Sequence, residues 1–186
     1  MNIADPLLTT LLDLLYELRD ADFPLVLGGG YGLYLRQERI QESGEPSLLE
    51  AIPPLRATND LDVFLHTEVI TDSERLRPLR EALDRLGFTV IPSAQNYQFA
   101  RKFTLAGQDW DIKIDLLAKT PDRSAFPHVK IDERRVRPHP SGGLHAHRTD
   151  EAIAIEDNMT TVTVTGLRSS GDPIRGRSLF LPSMHL

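Results

Sequence analysis

The spacing of the apolar residues changes character at Gly87, and that change restricts the fold more than any other feature of the chain. Upstream, apolar side chains recur at helical spacing in three segments separated by two short strand-like runs. Downstream, five segments favour strands. A chain that reads helix, strand, helix, strand, helix and then a series of strands lays its helices on a sheet that holds both hairpins and crossovers. The expected class is α+β: a mixed β-sheet flanked by helices, with additional C-terminal strands.

Asp5-Pro6 is a cap followed by a first-turn proline, and Leu7, Leu8, Leu11, Leu12, Leu14, Leu15 and Leu18 carry a wide apolar stripe toward Asp20. Phe23 to Leu27 reads as a buried strand entering Gly28-Gly29-Gly30, and Tyr31 to about Arg39 as a helix. Gln41 to Pro54 reads as a loop or broken helix, Asp60 to Leu65 as a strand with one wet face, and Thr71 to Leu86 as a helix in which Pro78 predicts a kink or a later start. The strand-like segments after Gly87 are Phe88–Ile91, Gln98–Leu105, Trp110–Leu117, Val129–Val136 and Thr160–Thr165, with a last short one near Ser178–Leu181. His139 to Asp150 reads as an exposed loop, and Ser169 to Gly176 as turn-rich. Residues 1–120 are expected to form the core, and residues 121–186 a β-rich extension of the same domain.

Composition narrows the functional classes. With no cysteine, a disulfide framework, a thiolate metal site and a cysteine nucleophile are excluded. No apolar run approaches the roughly 18 residues of a membrane span, and Asp5 stands where a leader would be basic. The expectation is a cytoplasmic protein with no membrane partner. A net charge of −6 argues against a surface devoted to polyanions.

Three features carry chemistry. Gly28, Gly29 and Gly30 lie between a strand and a helix, where missing side chains and unpaired N–H groups make a phosphate seat. Neither a Rossmann glycine spacing nor a Walker lysine accompanies them. Asp60 and Asp62 are two apart on a strand, so both carboxylates share a face about 7 Å apart along the chain. Like charges so placed repel unless a cation lies between them, and magnesium binds through one or two carboxylates plus phosphate oxygens. Asp115 lies in a second apolar strand, with Ile112, Ile114 and Leu116 on one face and Asp111, Lys113 and Asp115 on the other. An acid in such a strand is costly unless its face borders a site. Three acids on neighbouring strands suit two metals, or one metal and a base.

The order Gly-Gly before a helix, Arg56-Ala57-Thr58-Asn59-Asp60-Leu61-Asp62, then a single Asp115 between apolar residues resembles the nucleotidyltransferases of the DNA polymerase beta superfamily. Within it, Leu27-Gly28-Gly29 and the Arg56–Asp62 piece look most like the AbiEii-type toxins of toxin–antitoxin and phage-defence systems. The resemblance spans Leu25 to Leu117. It implies a nucleotidyltransferase fold and transfer of NMP from an NTP to a hydroxyl of RNA (tRNA among them), a protein or a small molecule. It assigns nucleotide binding to Gly28, Gly29, Gly30, Arg56, Thr58 and Lys113. Asp60, Asp62 and Asp115 become catalytic residues and ligands of Mg²⁺ or Mn²⁺, and an antitoxin protein becomes an expected partner. Two departures support an alternative reading, a truncated or catalytically inactive binding module. Gly29-Gly30 stands where many members have Gly-Ser, and the helical C-terminal part of the family, with its lysine, has no counterpart before Leu186.

Other residues carry weaker expectations. Asp111 is second choice to Asp115 as the third acid, and Lys113 serves equally well to neutralise the acids. His145 and His147 share a face and with His139 invite a zinc reading, but no acid or cysteine stands at a ligand spacing. Arg134, Arg135 and Arg137 with Arg101 and Lys102 read as a solvated sheet edge before an RNA strip, and Trp110 as packing before base stacking.

Overall fold

The structure, a computed structural model, describes residues 5–43, 59–94, 96–132, 134–138, 143–150 and 159–182. Asp5 starts helix α1 (Pro6–Glu17): its carboxylate accepts the Leu7 and Leu8 N–H groups at 2.9 and 3.2 Å, and Pro6 falls where a missing N–H is harmless. There follow β1 (Val26–Gly28), α2 (Gly29–Ser43), β2 (Asp60–Phe64), α3 (Thr67–Ile70), α4 (Ser73–Arg85), β3 (Thr89–Val90) and β4 (Gln98–Leu105). The chain continues with β5 (Gln108–Ala118), β6 (Lys130–Ile131), β7 (Arg135–Arg137), β8 (Ala146–Arg148), β9 (Met159–Leu167) and β10 (Pro173–Pro182).

All ten of these strands belong to one sheet, in the order β6-β7-β8-β5-β2-β1-β10-β9, with β4 on β5 and β3 on β4. The pairs β1–β10, β2–β5 and β5–β8 are parallel and the others antiparallel. The α+β class with a mixed sheet is therefore observed. Strands β8 and β10, from beyond residue 120, hydrogen-bond to β5 and β1 of the first part.

Alternation within the strands decides the core. Leu61 and Val63 of β2, Ile112, Ile114 and Leu116 of β5, Val162 and Val164 of β9 and Leu179 and Leu181 of β10 are buried in one cluster with Leu11, Leu12, Leu14 and Leu15 of α1. Each such side chain contributes about 1.5–3 kcal/mol relative to exposure, which is why the leucine stripe of α1 fastens the helix to the sheet. Asp13 is buried with these leucines at 0% exposure. It is held by Arg101 at 3.0 Å, by the Ser169 N–H at 3.1 Å and by Arg168 at 3.5 Å. Arg101 pairs with Ile112 across β4–β5 and so points to the core side, neither onto the solvated sheet edge expected for it nor into a basic strip.

Other expectations are also corrected. Helix α2 starts at Gly29, not Tyr31, and runs on to Ser43, into the stretch from Gln41 that the sequence assigned to a loop or broken helix. The helix expected over Thr71–Leu86 is α4, which starts slightly later, at Ser73, capped by the Asp72 carboxylate on the Glu74 N–H at 2.8 Å and with Pro78 tolerated inside; the short α3 ahead of it was not expected. Val129–Val136 is not one strand but β6 and β7, which pair as a hairpin around Asp132; its carboxylate accepts the Arg135 N–H. The His139–Asp150 loop contains β8, a full member of the sheet, and His145 is 5% exposed. Three residues are too few for a period to register; pairing with Leu117 and Ala118 makes them a strand. Strand β10 begins at Pro173, inside the stretch read as turn-rich. Trp110 packs partly buried against the core, as expected. No helix among the described residues is long and apolar enough to cross a membrane.

Candidate active site

Register brings the acids together. Gly28 of β1 pairs with Asp62 of β2, Asp62 with Asp115 of β5, and Asp115 with Gln98 of β4, so these four form one row across the sheet. Neighbouring strands lie about 4.8 Å apart, so the Asp62 and Asp115 side chains rise side by side on the face opposite the leucines. Asp60 begins β2 on the same face and pairs with Lys113. The second row, two residues on, is apolar: Val26, Phe64 and Leu117, flanked by Phe180 and His147. Val26 and Phe64 are buried, and they wall the acid row on that side.

The glycines divide the work. A Cβ on Gly28 would lie 2.1 Å from the Phe64 ring, so this buried glycine serves packing. Gly29 has φ +59, and a Cβ there would lie 1.7 Å from Asp62 Oδ2. The first turn of α2 thus rests against the Asp62 carboxylate, where the positive end of a helix favours an anion. Gly29 and Gly30 are exposed and leave that turn open to a ligand. Two contacts aim α2: the Tyr31 hydroxyl donates to Asp5 Oδ2 at 2.6 Å, and Arg36 donates to the Pro182 carbonyl at 2.8 Å. Burial and the Asp5 carboxylate push the Tyr31 hydroxyl well above its ordinary range, so it stays a donor.

Asp115 has two unlike oxygens. Oδ2 accepts from Gln98 Nε2 at 2.9 Å; Oδ1 is buried with no hydrogen-bond partner. Burial raises the Asp115 carboxyl above the usual carboxylate range and the Asp60 charge adds to this, while the Gln98 bond and the Lys113 and His147 charges oppose it. The His147 ring lies against Tyr97 with centroids 5.2 Å apart. Sequence reasoning missed Gln98 and His147 as neighbours of the acids; both come from strand pairing and have no motif. Asp111 shares the face of Asp115 but is exposed four residues away, opposite Lys102. Arg56, Thr58 and His139 lie outside the described residues.

The donor set fits a hard divalent cation. The carboxylates offer only oxygen, Asp115 Oδ1 is an orphaned acceptor, and Gly29 holds the Asp62 carboxylate in place. Among the described residues no group of three or more His, Asp or Glu side chains is gathered closely enough to hold a metal ion by itself. A cleft of about 990 Å³ is lined by Phe23, His66, Lys119, Phe126 and Phe180, and includes none of Asp60, Asp62 and Asp115. Compared with protein families, curated proteins and solved structures, the chain matches none.

Proposed function

We propose that the chain is a Mg²⁺- or Mn²⁺-dependent nucleotidyltransferase of the DNA polymerase beta type, moving NMP from an NTP to a hydroxyl acceptor. The observation that carries this reading is the row Gly28–Asp62–Asp115, with the N-terminus of α2 seated on Asp62. The metal, when bound by Asp60, Asp62 and Asp115, supplies charge neutralisation for the triphosphate. The exposed N–H groups at Gly29 and Gly30 bind phosphate oxygens, and Lys113 adds a positive charge beside Asp60. The acceptor oxygen attacks the α-phosphorus and forms the new P–O bond. The bond to the β-phosphate oxygen breaks, and pyrophosphate leaves with the electron pair. The hydroxyl proton passes to the Asp115 carboxylate and then to water. An RNA, protein or small-molecule acceptor fits this chemistry equally, as does membership of a toxin–antitoxin pair.

The second reading is a nucleotide-binding module without turnover. Lys113 favours it, because a resident cation in register with Asp60 already offsets part of the negative charge. Calorimetry with ATP, GTP, CTP and UTP, with and without Mg²⁺, tests both on wild type and on Asp60→Asn/Asp62→Asn. Magnesium-dependent binding that the double variant loses is expected. Binding without release of pyrophosphate across acceptor candidates selects the module, and no binding by a folded wild type overturns both.

A further inference from the structure

Strand β9 ends the sheet, and its inner edge is taken by β10 from Met159↔Pro182 to Leu167↔Pro173. Among the described residues no strand pairs with its outer edge. Bare edges of this length are normally blunted by a lysine, a proline or a bulge, because they template pairing with another chain. Met159-Thr160-Thr161-Val162-Thr163-Val164-Thr165-Gly166-Leu167 has no charge and no proline, and the extra residue at its register shift belongs to β10. Val162 and Val164 are buried on the core side, while Thr161, Thr163 and Thr165 are exposed on the other. Leu167, 59% exposed, is one of two large hydrophobic residues open to solvent among the described residues.

We infer that the outer edge of β9 is a self-association surface, on which a second copy of this chain lays its own β9 antiparallel about a two-fold axis at Thr163. Two features identify the occupant. The strand is nearly a palindrome about that centre: Thr163 meets Thr163, Val162 meets Val164, Thr161 meets Thr165, and Met159 meets Leu167. Apart from Thr160 against Gly166 these pairs are like with like, with valines continuing the core side and threonines forming a ladder on the other. The other strands at the sheet's ends, β3 and β6, are two residues long, so a nine-residue edge finds no equal partner there. Only two-fold pairing of β9 with itself matches the whole edge and closes the assembly. An uncharged seam also spares two chains of net charge −6 a like-charge contact where they meet.

Sedimentation equilibrium and cysteine cross-linking test this directly, since the chain has no cysteine of its own. Wild type is expected to rise with concentration from the 20.9 kDa of one chain toward twice that mass. Thr163→Lys places two like charges on the axis, and is expected to stay at the single-chain mass with an unchanged circular dichroism spectrum. Thr163→Cys is expected to form a disulfide-linked dimer about 10-fold faster or more than Gln108→Cys, an exposed control at the start of β5. A wild type that stays at the single-chain mass overturns the inference. So does a dimer that survives Thr163→Lys while Thr163→Cys cross-links no faster than the control, because another surface then holds it.

Discussion

Gly29→Ala tests the link between the fold and the site, and Gly87→Ala is its control. Both glycines have positive φ, +59 and +76, so an alanine at either pays the left-handed penalty of about 1–2 kcal/mol. The surroundings differ. Around Gly87 nothing lies within 4 Å of the new methyl group. At Gly29 the methyl falls 1.7 Å from Asp62 Oδ2, 2.6 Å from Cγ and 3.0 Å from Cβ. Rotation about χ1 would remove the first two collisions but not the third, so the carboxylate must leave its seat and the first turn of α2 must shift as well. Such overpacking typically costs about 1–3 kcal/mol more. Urea unfolding should place Gly87→Ala about 1–2 kcal/mol below wild type and Gly29→Ala about 1–3 kcal/mol lower still. At this chain length each kcal/mol lowers Tm by about 2–4 °C. In calorimetry Gly87→Ala should bind Mg²⁺ and nucleotide like wild type, while Gly29→Ala should match Asp60→Asn/Asp62→Asn. Equal stabilities for the two alanine variants, with nucleotide binding intact in both, would refute the argument that Gly29 exists to seat Asp62.

Three further outcomes are expected. Asp13→Ala leaves Arg101 buried without its carboxylate and takes from Arg168 the nearest of its three, and should cost about 3–5 kcal/mol in urea unfolding. Asp115 carries a raised pKa in the folded state, chiefly from burial, so the folded chain binds its proton more tightly than the unfolded chain. Its contribution to stability therefore falls as pH rises from the ordinary carboxylate range through the raised value, and stays unfavourable above it. Asp115→Asn, which can still accept from Gln98, should be more stable than wild type at neutral pH, and the gain should vanish below the ordinary carboxylate range. Denaturant midpoints measured across pH check the sign. Gln98→Leu removes a bond that favours the charged form, so the Asp115 carboxyl resonance followed by NMR should titrate at still higher pH.

Much of the candidate site's geometry was legible because its signals are local. Asp60 and Asp62 share a face because a strand alternates, and Ile112, Ile114 and Leu116 mark the core side of β5 and so place Asp115 on the opposite face. What escaped has no local signal. Arg101 looked like part of a surface strip, yet its partner Asp13 lies 88 residues away on α1. Gln98 and His147 become neighbours of Asp115 through pairing of β4 and β8 with β5. Gly28 looked equivalent to Gly29, and only the Phe64 ring over one and the Asp62 carboxylate over the other separate a packing glycine from a site glycine.

By itself the sequence determined the α+β class, the two strands that bear the acids, the helix that follows the glycines and the absence of any thiol chemistry. These are properties of short segments, written in side-chain period and in backbone freedom at single residues. The tertiary structure decided which strands touch and in what register: Asp62 against Asp115, Asp115 against Gln98, β8 inside the sheet, and β9 at the end of the strand order. Register is set by the joint burial of residues far apart in the chain, and a slip of one position would turn every acid in the row to the other face.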